Sequence, residues 1–169
     1  MAKTYLDNLV EYPAKVLHKI GSDQRVVSLL LDSPNVDING EAADSVYDKY
    51  LFDYGYVDGT TEETRAYICT EAEMIKSPTP SIHDLRIYVT IICHKQFMKV
   101  DAGKFRGMIG NRRDNLTRFI DGILNGSDIF GIGVLTLDSA KTVASPTGFT
   151  ARELTYRISD FKDKGVVRG

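Results

Sequence analysis

Between Leu85 and His94, apolar and mixed residues alternate with period two. Leu85, Ile87, Val89, Ile91 and Cys93 share one face of a predicted strand. Arg86, Tyr88, Thr90 and His94 share the other, with Ile92 as its apolar exception. A strand with one apolar and one mixed face belongs in an antiparallel sheet covered on one side. The mixed side is then left for solvent or a partner. No comparably strong pattern points to catalysis, so the reading leans toward contact rather than chemistry.

The rest of the chain fills in around that strand. Residues 4–20 carry Leu6, Leu9, Val10, Val16, Leu17 and Ile20 at helical spacing. Pro13 predicts either a kink or a helix that begins after Tyr12. Gly21 stops that helix, and Ser22 is the expected N-cap of a short second one with Val26, Val27, Leu30 and Leu31 inward. Residues 35–61 form an aromatic arm with two readings. Tyr47, Tyr50 and Tyr54 match a helix, whereas Phe52, Tyr54 and Tyr56 match a strand. Four strands are expected at 64–71, 85–98, 129–137 and 149–159. Loops are expected at 77–81, 103–110 and 140–148. Residues 111–125 give the clearest helix, with Leu116, Phe119, Ile120, Ile123 and Leu124 in one stripe.

The order predicts an α+β fold: N-terminal helices and one long helix packed on a mainly antiparallel four-stranded sheet. A single domain over residues 1–169 is expected, with a helical segment 1–34, the arm 35–61, a core 62–162 and a frayed tail 163–169.

Composition changes little. Hydrophobic content of 43%, charged content of 26% and a net charge of -2 describe an ordinary globular chain and give no global attraction to nucleic acid or an anionic membrane. No run approaches the roughly 18 apolar residues of a membrane span. The first residues lack a secretory apolar region, so folding in a cytoplasm is expected. In that compartment Cys69 and Cys93 are expected as free buried thiols. His18, His83 and His94 are scattered, without the spacing of a metal site.

Gly107-Met108-Ile109-Gly110, followed by Arg112 and Arg113, resembles the backbone-clamping loop of KH nucleic-acid-binding domains. Its central Met-Ile pair departs from the small or basic residues expected there, and a loop that needs glycine torsions before a helix explains it equally. Gly131-Ile132-Gly133 lacks the third glycine of a dinucleotide fingerprint. Glu71 and Glu73, and the neighbours His83 and Asp84, read as strand-edge charges rather than acid–base pairs. No nucleophile elbow, metalloprotease motif or phosphate loop occurs, so neither an enzyme nor a cofactor is expected.

The N-terminal helical segment, the long strand ending in Ile91-Ile92-Cys93-His94, the helix after Arg112 and the closing strand Phe149–Ile158 together resemble the tail terminator (tail completion, neck) proteins of tailed bacteriophages and phage-like contractile particles. The resemblance lies in the order of elements and carries no named site. It implies a non-enzymatic virion protein, made in the bacterial host cytoplasm and located at the tail or neck. Such a subunit forms a homo-oligomeric ring, six-fold by the resemblance, that caps the tail tube. The implied partners are copies of itself, the tail tube, a sheath protein and the head–tail connector. No membrane is implied, and no nucleic acid beyond DNA passing through the ring. Another head–tail connector protein and a KH-like module stand as alternatives. Two surfaces are expected to make contacts: Arg86, Tyr88 and His94 on the mixed strand face, and Tyr47, Tyr50 and Tyr54 on the arm. Gly107, Gly110, Arg112 and Arg113 form a candidate loop contact.

Overall fold

A computed structural model describes residues 5–55, 63–75 and 82–161. Helix α1 spans Tyr5–Gly21, α2 Gln24–Leu30, and a single turn α3 Glu41–Asp44. Strands β1 (Leu51–Phe52), β2 (Ala66–Ile75) and β3 (Ile82–His94) follow, then α4 (Arg112–Leu124), β4 (Thr136–Val143) and β5 (Phe149–Phe161). The sheet order is β1-β2-β3-β5-β4. Every pairing is antiparallel except β1 with β2. The fold is α+β as expected. A two-residue parallel strand from the aromatic arm adds to the four antiparallel ones.

The alternation in β3 does what its chemistry requires. Leu85, Ile87, Val89, Ile91 and Cys93 are all buried in the main core. Ala66 and Ile68 of β2 and Leu154, Tyr156 and Ile158 of β5 join them on the same face. Helices α1, α2 and α4 close that face with Val16, Ile20, Val27, Leu30, Leu116 and Ile120. Each fully buried side chain of this size contributes about 1.5–3 kcal/mol by leaving water. In α4 the innermost line is Leu116, Ile120 and Leu124, whereas Phe119 and Ile123 are half-buried flanks. Asn111 caps α4: its side-chain oxygen accepts the Asp114 amide at 2.9 Å, while its Nδ2 donates to the Asp114 carboxylate at 2.7 Å. Gly126, at φ 80°, provides the left-handed residue just beyond the helix end.

Of the two readings at Pro13 the later helix start is ruled out, and three expectations are corrected. Helix α1 runs through Pro13, whose carbonyl accepts a hydrogen bond from Thr70 Oγ1 at 3.2 Å. Asp23, not Ser22, caps α2. Its extended backbone lets the carboxylate accept the Arg25 and Val26 amides, while Ser22 Oγ donates back to the His18 carbonyl. The strand expected at 129–137 lies at Thr136–Val143, sharing only Thr136 and Leu137 with that expectation and taking Ala140–Val143 from the expected loop. Gly131 and Gly133, at φ 71° and 148°, bend the apolar run away from a ladder. Its Ile129, Phe130 and Ile132 lie over the core instead, with Phe130 stacked on Tyr12 at 4.0 Å. Finally, the arm is neither one helix nor one strand. It is the turn α3, a bridge between Tyr47 and Leu51, and β1, with Asp48 at φ 63° turning the chain between them. Tyr56, the proline loop 77–81 and the tail 163–169 lie outside the described residues.

Candidate protein-contact surface

The face of the sheet opposite the helices is laid out by strand register. At one level Glu73, Arg86, Arg157 and Thr136 stand side by side; at the next come Glu71, Tyr88, Thr155 and Ser139. A third level holds Cys69, Thr90, Glu153 and Lys141. Polar and charged side chains are linked across strands. The Tyr88 hydroxyl donates to Glu73 Oε2 at 2.5 Å, Arg157 donates to Asp84 at 2.8 Å, and Lys141 lies 3.4 Å from Glu153. The hydrogen bond to Glu73, together with burial, pushes the Tyr88 hydroxyl above the usual tyrosine pKa. Such cross-strand pairs hold the polar surface in a fixed pattern.

The far end of the same face is apolar. Phe52, Tyr67, Cys69, Ile92, Phe149 and Ala151 form a second cluster, and all of these come from strands. His94 packs edge-on against Phe149 at 4.9 Å, and Tyr54 edge-on against Phe52 at 5.6 Å. The His94 Nδ1 accepts the Gln96 amide at 3.2 Å, which fixes the ring at the end of β3.

The candidate contact residues therefore divide differently from their order in sequence. Arg86, Tyr88, His94 and Tyr54 belong to one continuous face. Tyr47 and Tyr50 pack against the main core on the helical side. The Tyr47 hydroxyl sits against Gly21, where any β-carbon would collide with it. Tyr50 lies under the Arg65 guanidinium, 5.0 Å from its ring centre. Of the three arm tyrosines only Tyr54 is largely open, at 54% exposure.

The glycine loop is anchored from inside. Gly107 and Gly110 have φ of 76° and 88°, which only glycine adopts without strain. Asn115, buried in α4, donates to the Ile109 carbonyl at 2.9 Å. Arg112, expected as a loop contact, is interior. Its side chain is 2% exposed and donates to the Phe97 and Leu29 carbonyls and to Asp32 Oδ1 at 2.6 Å. The guanidinium also stacks on Phe97, 3.8 Å from the ring centre. A buried cation needs this full set of acceptors, and meeting them turns the residue inward. Arg113 reaches the Thr150 hydroxyl and Asp114, which Arg152 also approaches at 3.0 Å. Burial alone would raise the Asp114 carboxyl. Hydrogen bonds from Asn111 and Arg113, with the charges of Arg152 and Arg113, outweigh it and hold the pKa below the usual range. Ile109, between the two glycines, is 86% exposed, a feature the KH comparison passed over.

Among the described residues no group of three or more His, Cys, Asp or Glu side chains is placed to hold a metal ion. No helix among them is long and apolar enough to cross a membrane. Cys69 and Cys93 are buried and form no disulfide with each other.

A single sheet with one face under helices and a patterned, strand-built second face defines an α+β scaffold of the kind that presents a surface. The chain belongs to the YomW family, whose model matches residues 23–158. Its fold is similar to that of a chain in the virion of a native gene transfer agent particle, with a TM-score of 0.52 and 13% identity, covering 94% of this chain and 99% of that one. No curated protein matches the sequence.

Proposed function

We propose that this chain is a structural subunit of a phage-like particle, and within it the tail terminator that rings the end of the tail tube and joins it to the head. The observation that carries the reading is the end-to-end fold likeness to a chain from a gene transfer agent virion, 94% of one and 99% of the other. The sequence resemblance to tail terminators supplies the finer role. Physically, the helix-covered sheet is a rigid support, and the fixed charge pattern of its open face gives register and orientation to repeated contact with a tube or a neighbouring subunit. Copies of the chain, the tube, a sheath and a head–tail connector are its partners in this reading.

Electron microscopy of particles carrying a tagged copy tests it. A six-fold ring of tag at one tail end is the expected result. Label at the head side of the neck would favour a connector role instead. A single copy, or label away from every tail end, would sink the proposal. The KH-like alternative is weakened because Arg112, one of its two supporting cations, is turned into the core.

A further inference from the structure

Two segments of this chain have opposite charge and different shapes. Residues 37–53 carry Asp37, Glu41, Asp44, Asp48 and Asp53 against one Lys49, and all six are exposed. Residues 95–106 carry Lys95, Lys99, Lys104 and Arg106 against one Asp101, again all exposed. The chain as a whole carries only -2, so this separation does not follow from an overall bias. The acidic segment borders a cleft of about 550 Å³, in which Ile38, Asn39, Ala43, Asp44 and Tyr47 of the arm face His18, Gly21 and Ser22 at the end of α1; among the described residues Asp44 is the one carboxylate in its wall, and Glu41 and Asp37 neighbour it in sequence. The basic segment leads into the Gly107–Gly110 turn, whose tip is Ile109. That tip is held in place: Asn115 fixes the Ile109 carbonyl, and Arg112 ties the base of the loop to Asp32 and to the Phe97 carbonyl. Among the described residues no ion pair joins the two segments within one chain.

We infer that the Ile109 tip of one copy docks in the cleft beside the acidic segment of the next, making a head-to-tail contact between copies of this chain. The inference rests on the ring reading above and names the surfaces that would close it. A ring needs a heterologous contact between two different patches of one subunit. Charge complementarity picks out these two and sets their orientation, while the apolar tip supplies a central anchor with a charged rim. A rigid tip loses little freedom on docking.

A photo-crosslinking amino acid at position 109 tests the contact, both in isolated particles and in the purified full chain at millimolar concentration. The expected adduct joins residue 109 to residues 37–47 of another copy. Glu41→Lys with Asp44→Lys should lower its yield about tenfold or more, since like charges then meet across the contact. Adding Arg106→Glu to the same chain should restore it. Circular dichroism of each variant confirms the fold. In particles, an adduct to another segment or to a different protein overturns the contact and leaves the ring itself to microscopy. Should the chain be missing from particles, the ring reading falls, and the purified chain decides the contact: no arm adduct there overturns it. Tight, steeply salt-dependent binding of DNA that competes with the adduct and is lost with Arg106→Glu would assign the basic segment to nucleic acid and overturn it equally.

Discussion

Arg112 Nη2 lies 2.6 Å from Asp32 Oδ1, a link that crosses from the first turn of α4 to the end of α2. Asp32 sits at φ 52°, a left-handed position that a carboxylate tolerates when its side chain is engaged. Lys104 completes the group from the loop at 2.7 Å. The three residues fasten α2, α4 and the glycine loop to one another.

Arg112→Ala is therefore expected to cost about 3–5 kcal/mol in urea denaturation, because it leaves the buried Leu29 carbonyl without this donor and removes the bonds to the part-buried Phe97 carbonyl and Asp32. Arg112→Lys should recover little. A single ammonium cannot match the fork that reaches Leu29, Phe97 and Asp32 together. A stable Arg112→Ala variant would show that the loop and helices are held by packing alone.

Acid should loosen the same junction. Burial raises the Asp32 carboxyl, but hydrogen bonds from Lys104 and Arg112 and their charges outweigh it, so the folded pKa lies below the ordinary value. A carboxyl depressed in the folded state adds stability above its unfolded pKa and loses it as pH falls through the folded one. Asp114 behaves in the same direction. Stability is expected to decline as pH drops below about 4. Asp32→Asn should flatten that decline while lowering stability at pH 7. An unchanged acid limb in this variant would exclude Asp32 as a contributor.

Within α4, Ile120→Ala should cost about 2–5 kcal/mol, since its side chain is fully buried. Phe119→Ala should cost less, because the ring is half-exposed and lies between the guanidinium groups of Arg25 and Arg118. Removing the cap with Asn111→Ala should cost about 0.5–2 kcal/mol. Denaturant midpoints for the three variants give the ranking directly.

Cys93 faces the core from β3, and burial pushes its thiol up to about 11 despite the nearby charges of Arg112 and Arg113. Ellman's reagent at pH 8 should leave it unreacted in the folded chain and modify it at once in urea. Rapid labelling under native conditions would mean that this end of the sheet opens readily.

Arg86→Glu combined with Tyr88→Ala should leave the subunit folded but block particle assembly, if the patterned sheet face is a contact surface. Tyr54→Ala probes the apolar end of the same face. Circular dichroism and particle yield separate folding from assembly. Full yield from both variants would remove this face from the contact set and leave the loops.

The sheet was legible because β3 and β5 each set an apolar row on the core face, and period two survives in their residues. Strand β4 was not. As an edge strand it reads Thr-Leu-Asp-Ser-Ala-Lys-Thr-Val, with little apolar content to mark it. The apolar run before it covers the core as a loop and drew the strand assignment six to seven residues early. Arg112 misled for a related reason: sequence reports a charge but not the carbonyls waiting to receive it. The division of the arm tyrosines between two faces depends on a two-residue strand and a left-handed Asp48, neither of which has a periodic signature.

Strand β3 pairs on one side with β2, its neighbour in sequence, and on the other with β5, whose first residue follows the end of β3 by more than fifty positions. During synthesis at roughly 5–20 residues per second, the β2–β3 hairpin must wait several seconds for the strand that completes it. Throughout that interval the richest apolar strand of the molecule offers an open backbone edge to other nascent chains. Overproduced protein is thus expected to aggregate through β3 before it ever misassembles as a folded subunit, and slower translation between residues 95 and 148 should worsen the loss.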